Sequence, residues 1–267
     1  MPKNQIQRPL NVAAADVKRL ILEEDDFGHE MRVGYVYSKL VATNAARDKI
    51  HFAAAEHGWA YTDPNTNKAR QFDFRFRISY NAYPAASAVA LAVECKNLHK
   101  SSPLIVCGRR RTSEESQHCF IRAGRDVVVM AYASTSIVRN SRLYPVGEFV
   151  GKSLVRIKEK NGRLEAMNDA DVFDRWSQAE SSCFALIGEA RHRARQTQTK
   201  FDTLVLPVVV VPDGSLWKMV YDADGNVPED PGSIDACELF IGKEVRRIFH
   251  SFSATFILLR LRGFRTS

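Results

Sequence analysis

The stretch "ALAVECKNLHK" (residues 90–100) decides how this chain is read: an apolar run gives way abruptly to Glu94, Cys95 and Lys96. With "SAV" at 87–89 ahead of it, the run has the composition of a strand buried on both faces. A charge withdrawn from water there costs on the order of several kcal/mol unless it is paired or holds a metal. The period of two along a strand puts Glu94 and Lys96 on one face and Val93 and Cys95 on the other. Upstream, "ARQFDFRFRISY" (69–80) alternates Phe72, Phe74 and Phe76 with Asp73, Arg75 and Arg77, giving one greasy and one charged face. With "WAYTDP" (59–64) and the polar turn "NTNK", it reads as a hairpin. If the two strands are neighbours, Asp73 and Glu94 converge and Lys96 stands at their edge.

The rest of the 267-residue chain supplies the setting. Hydrophobic residues at 45% and charged residues at 26% match soluble globular averages, so neither disorder nor a membrane protein is indicated. The longest apolar run, "LVLPVVVVP" (204–212), is too short to span a bilayer as a helix and reads as a central strand. Residues 16–57 read as helical throughout, with the alanine-rich "AARDKIHFAAAEHG" stopping at Gly58. "PLIVCG" (103–108) reads as a strand, and 125–139 is apolar but of open type. From Val172, apolar residues at intervals of three and four (Trp176, Ala179, Cys183, Leu186, Ala190, Ala194) predict a long amphipathic helix, with Asn168 and Asp169 as capping candidates. "TLVLPVVVV", the turn "PDG" and "SLWKMVYD" predict strand, turn, strand, and "FSATFILLRL" (252–261) adds a last strand. Helices, a strand cluster, a long helix and further strands imply an α/β fold bordering on α+β, with a mixed central sheet flanked by helices. One domain is expected over 1–267, comprising a helical part to about residue 57, a core at about 45–110 and a long helix with strands at about 168–267.

Two clustered carboxylates repel each other, and a hard divalent cation resolves the conflict by taking both as oxygen ligands. Mg²⁺ keeps several waters in such a site, one of which can become a nucleophile, and a lysine beside it can assist that water or offset charge building up on a phosphate. A lone aspartate entering a strand, then an apolar strand closing in Glu-x-Lys, resembles the PD-(D/E)xK nuclease superfamily. The matching residues are "FD" at 72–73 and "ECK" at 94–96, with "AEHGWAY" ahead of the hairpin. The resemblance covers about residues 45–110 and extends beyond only as general architecture. It implies a restriction-endonuclease-like fold and Mg²⁺-dependent hydrolysis of DNA, with Mn²⁺ able to substitute. Asp73 and Glu94 become the metal ligands, Lys96 the catalytic lysine, and the Cys95 carbonyl a further ligand. Members add an acidic residue from the preceding helix, for which Asp48 is first choice and Glu30 and Glu56 are rivals. The chain departs from the pattern in having Phe72, not proline, before Asp73.

The weaker signals fill in partners. A net charge of +7 suits a polyanion, which a basic surface binds by displacing counterions. Arg109, Arg110 and Arg111 in "CGRRRTSEE" are candidate phosphate contacts, set against the alternative of a solvated charge run paired with Glu114 and Glu115. "GEFVGKS" (147–153) encloses three residues where a phosphate loop needs four, and Trp59, Trp176 and Trp217 read as core or core-edge residues. Five scattered cysteines without a CxxC pair suit reduced thiols, and the N-terminus lacks an apolar signal segment, so a cytoplasmic protein is expected. Small size and no evident recognition module suggest direction by a partner protein or by homo-oligomerisation, without a membrane. The alternative is a nucleic-acid-binding subunit that keeps the fold without cleaving.

Overall fold

A computed structural model describes residues 13–45, 50–63, 66–82, 85–98, 102–113, 115, 117–123, 128–134, 145–167, 170–197, 201–243 and 252–261. Two helices lead, α1 (Ala14–Glu24) and α2 (Phe27–Ala45). Strands β1 (Ile50–His57), β2 (Ala60–Thr62), β3 (Ala69–Gln71), β4 (Phe74–Ala82), β5 (Ala85–Cys95) and β6 (Leu104–Arg110) follow. Next come β7 (Gln117–Ala123), β8 (Val128–Ser134), β9 (Phe149–Lys160), β10 (Arg163–Met167) and the long helix α3 (Ala170–Thr197). The chain closes with β11 (Phe201–Pro212), β12 (Leu216–Val220), β13 (Gly232–Ser233), β14 (Ala236–Lys243) and β15 (Phe252–Leu261).

Thirteen strands form one mixed sheet in the order β1-β4-β5-β11-β15-β14-β9-β6-β12-β13, with β10 beside β9 and the β7–β8 pair attached to β11. β2 and β3 make a separate two-stranded sheet. β11 runs parallel to both β5 and β15, and its unbroken apolar sequence is what a parallel strand covered on both faces requires. Pro207 has no N–H to give a ladder. It falls in the interval, residues 204–207, where β11 pairs with β5 but with neither β7 nor β15.

Each face of the sheet around β5 carries one helix. α2 lays Val33 and Tyr37 over Phe74, Phe76, Val93, Cys95, Val208 and Val210. Gly34 permits that approach, since a Cβ there would stand 2.8 Å from the Phe74 ring. On the opposite face α3 sets Cys183 and Leu186 against Ala90 and Ala92, and Trp176 and Ala179 against Val209 and Val211. The small alanines of β5 let α3 lie close to the sheet.

Three expectations are corrected by this architecture. The alanine-rich stretch expected as a helix up to Gly58 is strand β1, paired antiparallel with β4 from Ala53 opposite Ile78 to His57 opposite Phe74. Alanine's helix preference, worth at most ~1 kcal/mol per residue, is outweighed by a sheet edge that offers a full ladder. Gly58, at φ +71, turns the chain into β2 rather than capping a helix. Phe72 does not share a face with Phe74 and Phe76: the chain breaks between β3 and β4, and Phe72 packs against Tyr61 and Ala92 on the α3 side. Trp59 is 51% exposed, so it is not a core residue, whereas Trp176 is buried.

The hairpin β2–β3, the strands β5, β6 and β15 and the helix α3 stand where expected, and the open segment contains the strand β8. Gly214, at φ +80, makes the turn after β11, but β12 pairs in parallel with β6 instead of folding back on β11. Asn168 and Asp169 lie outside the described residues. Cys95, Cys107, Cys183 and Cys237 are free thiols. Among the described residues no helix is long and apolar enough to cross a membrane.

Gly108 sits where the β6–β9 register shifts, and a Cβ there would lie 2.0 Å from the Val150 carbonyl oxygen. Backbone cannot yield as a side chain does, so Gly108→Ala is expected to cost roughly 2–3 kcal/mol, read as a lowered urea midpoint at unchanged slope.

Candidate functional site

The β4–β5 ladder ends at Phe74 opposite Val93, which makes Asp73 and Glu94 the next facing pair. No further backbone rung forms there. Phe72 donates its N–H to the Trp59 carbonyl at 2.9 Å, drawing the chain toward the hairpin. The Asp73 carboxylate takes over, with Oδ2 accepting the Cys95 N–H at 2.6 Å. The two strands are therefore neighbours, as the site requires, and Asp73 is fixed against the Glu94–Cys95 peptide.

Glu94 is fully buried on the α3 face. Ser182 of α3 donates to its Oε1 at 3.1 Å, and the Tyr61 hydroxyl lies 3.1 Å from Ser182 Oγ and 3.4 Å from the Gln178 carbonyl. Burial, together with the nearby Glu94 charge, pushes the Tyr61 phenol up to about 12, so it stays a neutral donor. Cys95 faces the other way, into α2, where burial first and the Asp73 carboxylate second push its thiol up. A protonated, buried thiol is no metal ligand, and only the Cys95 carbonyl remains for that role.

Lys96 follows the end of β5, and strand alternation no longer governs it. Its N–H donates to the Val210 carbonyl at 2.9 Å, while its Nζ lies 3.5 Å from Asp26 Oδ2, just ahead of α2. Asp26 Oδ1 also accepts the Asn97 N–H at 2.7 Å, so one aspartate ties the end of β5 to the start of α2. Glu94 and Lys96, expected on one face, thus leave the strand toward opposite helices. Asp26 is the acidic residue that the sequence reading missed, though an aspartate directly before a helix was a capping signal. Asp48 lies outside the described residues. Of its rivals, Glu30 bonds His57 at 3.3 Å and Glu56 pairs with Arg75 at 2.5 Å.

The donor chemistry suits Mg²⁺, which takes one or two carboxylates and completes its shell with water. Asp73, Glu94 and the Cys95 carbonyl are the groups that would hold it. Among the described residues no group of three or more His, Cys, Asp or Glu side chains gathers around one point.

The Arg109–Arg111 triplet is built differently from a row of phosphate contacts. Arg111 is buried, donating to the Glu115 carbonyl at 2.8 Å and pairing with Glu238. Arg109 and Lys152 pair with Glu115, whose carboxyl burial would raise but whose Lys152 and Thr112 hydrogen bonds hold it below the ordinary value. Arg110 is exposed and donates to the Gly147 carbonyl at 3.2 Å. Only Arg109 and Arg110 reach solvent.

No protein-family model, curated protein or solved structure gives a significant match to the chain.

His29 of α2 braces this corner. Its Nε2–H reaches the Val210 carbonyl at 3.1 Å, while Nδ1 is buried with no hydrogen-bond partner among the described residues. Burial lowers its pKa below 6.5, against the opposing pull of the Val210 carbonyl. The folded state therefore binds fewer protons than the unfolded one, and stability is fully present above pH 6.5 and is lost as pH falls below it. The urea midpoint should drop between pH 7.5 and 5.5, with at most ~1.4 kcal/mol per pH unit from this group. His29→Gln, which keeps an N–H for Val210, should flatten that slope. Equal slopes in the two proteins would remove His29 as the cause.

Proposed function

We propose that this protein is a Mg²⁺-dependent nuclease of the PD-(D/E)xK type, with a restriction-endonuclease-like fold, hydrolysing phosphodiester bonds of DNA. The observation that carries the reading is the adjacency of β4 and β5, which sets the Asp73 carboxylate against the Glu94–Cys95 peptide. A mixed sheet with α2 on one face and α3 on the other is the layer arrangement that the resemblance implies. When bound, Mg²⁺ supplies the positive charge that polarises a phosphoryl oxygen and acidifies a coordinated water.

The chain's own groups divide the remaining work. Asp73 is half-buried and locked by the Cys95 N–H, so it meets a cation without first losing side-chain freedom. Glu94 is oriented by Ser182. Lys96, held by Asp26 with its side chain 21% exposed, keeps an ammonium on the α2 side of the strand end, and its proposed part is to assist water or offset charge on the phosphate. The net charge of +7 favours association with a polyanion.

The full burial of Glu94 favours a second reading, a nucleic-acid-binding protein that retains the fold without cleaving. In that case Glu94 is a structural acceptor for Ser182, and Asp73 caps the strand end.

The two readings part in one assay: intact protein and Lys96→Ala with supercoiled plasmid, linear duplex and single strands, in Mg²⁺, Mn²⁺ and EDTA. The nuclease reading expects cleavage that requires metal and falls by about 10²-fold or more in the variant. Cleavage that survives both the substitution and the chelator would sink the proposed chemistry. Binding without cleavage in any metal would establish the second reading.

A further inference from the structure

The charged face of β4 and the flank of α3 enclose a cleft of about 100 Å³. Its floor is small and apolar, from Ala90 and Leu186. Its walls carry three guanidinium groups, Arg75, Arg77 and Arg193, against the two carboxylates Glu56 and Glu189, leaving the cleft net positive.

Arg75 spends its charge internally. Its Nη1 lies 2.7 Å from both carboxylate oxygens of Glu189, and its Nε 2.5 Å from Glu56 Oε2. Its guanidinium carbon stands 4.4 Å from the centre of the Trp59 ring. An indole that is 51% exposed yet braced by a doubly ion-paired arginine is a large aromatic surface already ordered for contact. Such a group loses little freedom on binding, and a nucleic-acid base stacked on it is worth about 1–3 kcal/mol. Arg77 and Arg193 stand further along. Each guanidinium has five N–H donors, so a protein partner on one edge leaves another edge for a phosphate.

The order of these groups follows from the strand period. Arg75 and Arg77 alternate onto one face of β4, and Arg77 lies ~7 Å beyond Arg75 at about 3.3 Å per residue. Trp59 is tied next to Asp73 by the Phe72-to-Trp59 hydrogen bond of 2.9 Å. The aromatic surface therefore comes first and the guanidinium groups follow, leading away from the carboxylates. A single strand can offer an unstacked base to the indole and its phosphates to the arginines, whereas the bases of a duplex are stacked on each other.

We infer that the cleft between β4 and α3 binds single-stranded nucleic acid, with a base on Trp59 and phosphates on Arg77 and Arg193. This rests on the nucleic-acid reading above and names the substrate form that the site takes.

The test uses the intact protein in EDTA, where metal-dependent cleavage does not intrude. Fluorescence anisotropy reads binding of labelled oligothymidylate and of a duplex of the same length. The single strand should bind more tightly. Trp59→Ala should weaken single-strand binding about 5- to 100-fold and Trp59→Phe should restore most of it. Arg77→Gln and Arg193→Gln should each lower the log–log salt slope by about 0.7. Unchanged single-strand binding in all three sites' variants, or a preference for duplex, would overturn the cleft while leaving the nucleic-acid reading intact. Binding of neither probe by the parent protein would overturn both.

Discussion

β5 and β11 pair in parallel from Ala86 opposite Phe201 to Cys95 opposite Val210, although β6 to β10 and α3 lie between them in the chain. Much else in this structure depends on that pairing. A parallel ladder needs cover on both faces, and α2 and α3 provide it, which is why both strands are apolar on each side. Its last rungs also define the functional corner. The Val210 carbonyl receives the Lys96 N–H from the neighbouring strand and the His29 ring from α2, so strand, strand and helix meet at one oxygen.

Two-sided cover explains why adjacent residues at the end of β5 live in different surroundings. Glu94 enters the α3 layer, where a carboxylate is tolerable because Ser182 donates to it and Tyr61 backs the serine. Cys95 enters the α2 layer among Tyr37, Val208 and Val210, where a small neutral thiol fits and a charge would not. Lys96 is just past the ladder, free to turn its ammonium to Asp26 at the head of α2. The same logic places Arg111 inside the protein with Glu238 while Arg110, one residue earlier, stays in solvent.

Much of this is legible in the sequence. The "ECK" step out of an apolar strand, the alternation from Phe74 to Arg77 and the 3.6-residue periodicity of α3 are local patterns, and each marked its element. The failures share a cause. "HFAAAEHG" carries the local preference of a helix, and only the open edge of β4 made it a strand. Phe72 fits the alternation of its neighbours, but the break between β3 and β4 turned it to the α3 side. Trp59 reads by type as a core or core-edge residue. Its exposure depends on Arg75, Glu56 and Glu189, which come from two strands and a distant helix.

By itself the sequence determined the burial class of β5 and β11, the shared face of Arg75 and Arg77, and the presence of two carboxylates and a lysine at strand ends. These follow from periodicity and from the cost of leaving apolar surface in water, both of which act over a few residues. The tertiary structure alone decided that β4 and β5 are neighbours, that Glu94 lies beneath Ser182, that Asp26 is the acid which meets Lys96, and that an exposed indole is braced by Arg75. Those are meetings between segments far apart in the chain. They are settled by which surfaces the folded sheet brings together, a choice that no local spacing encodes.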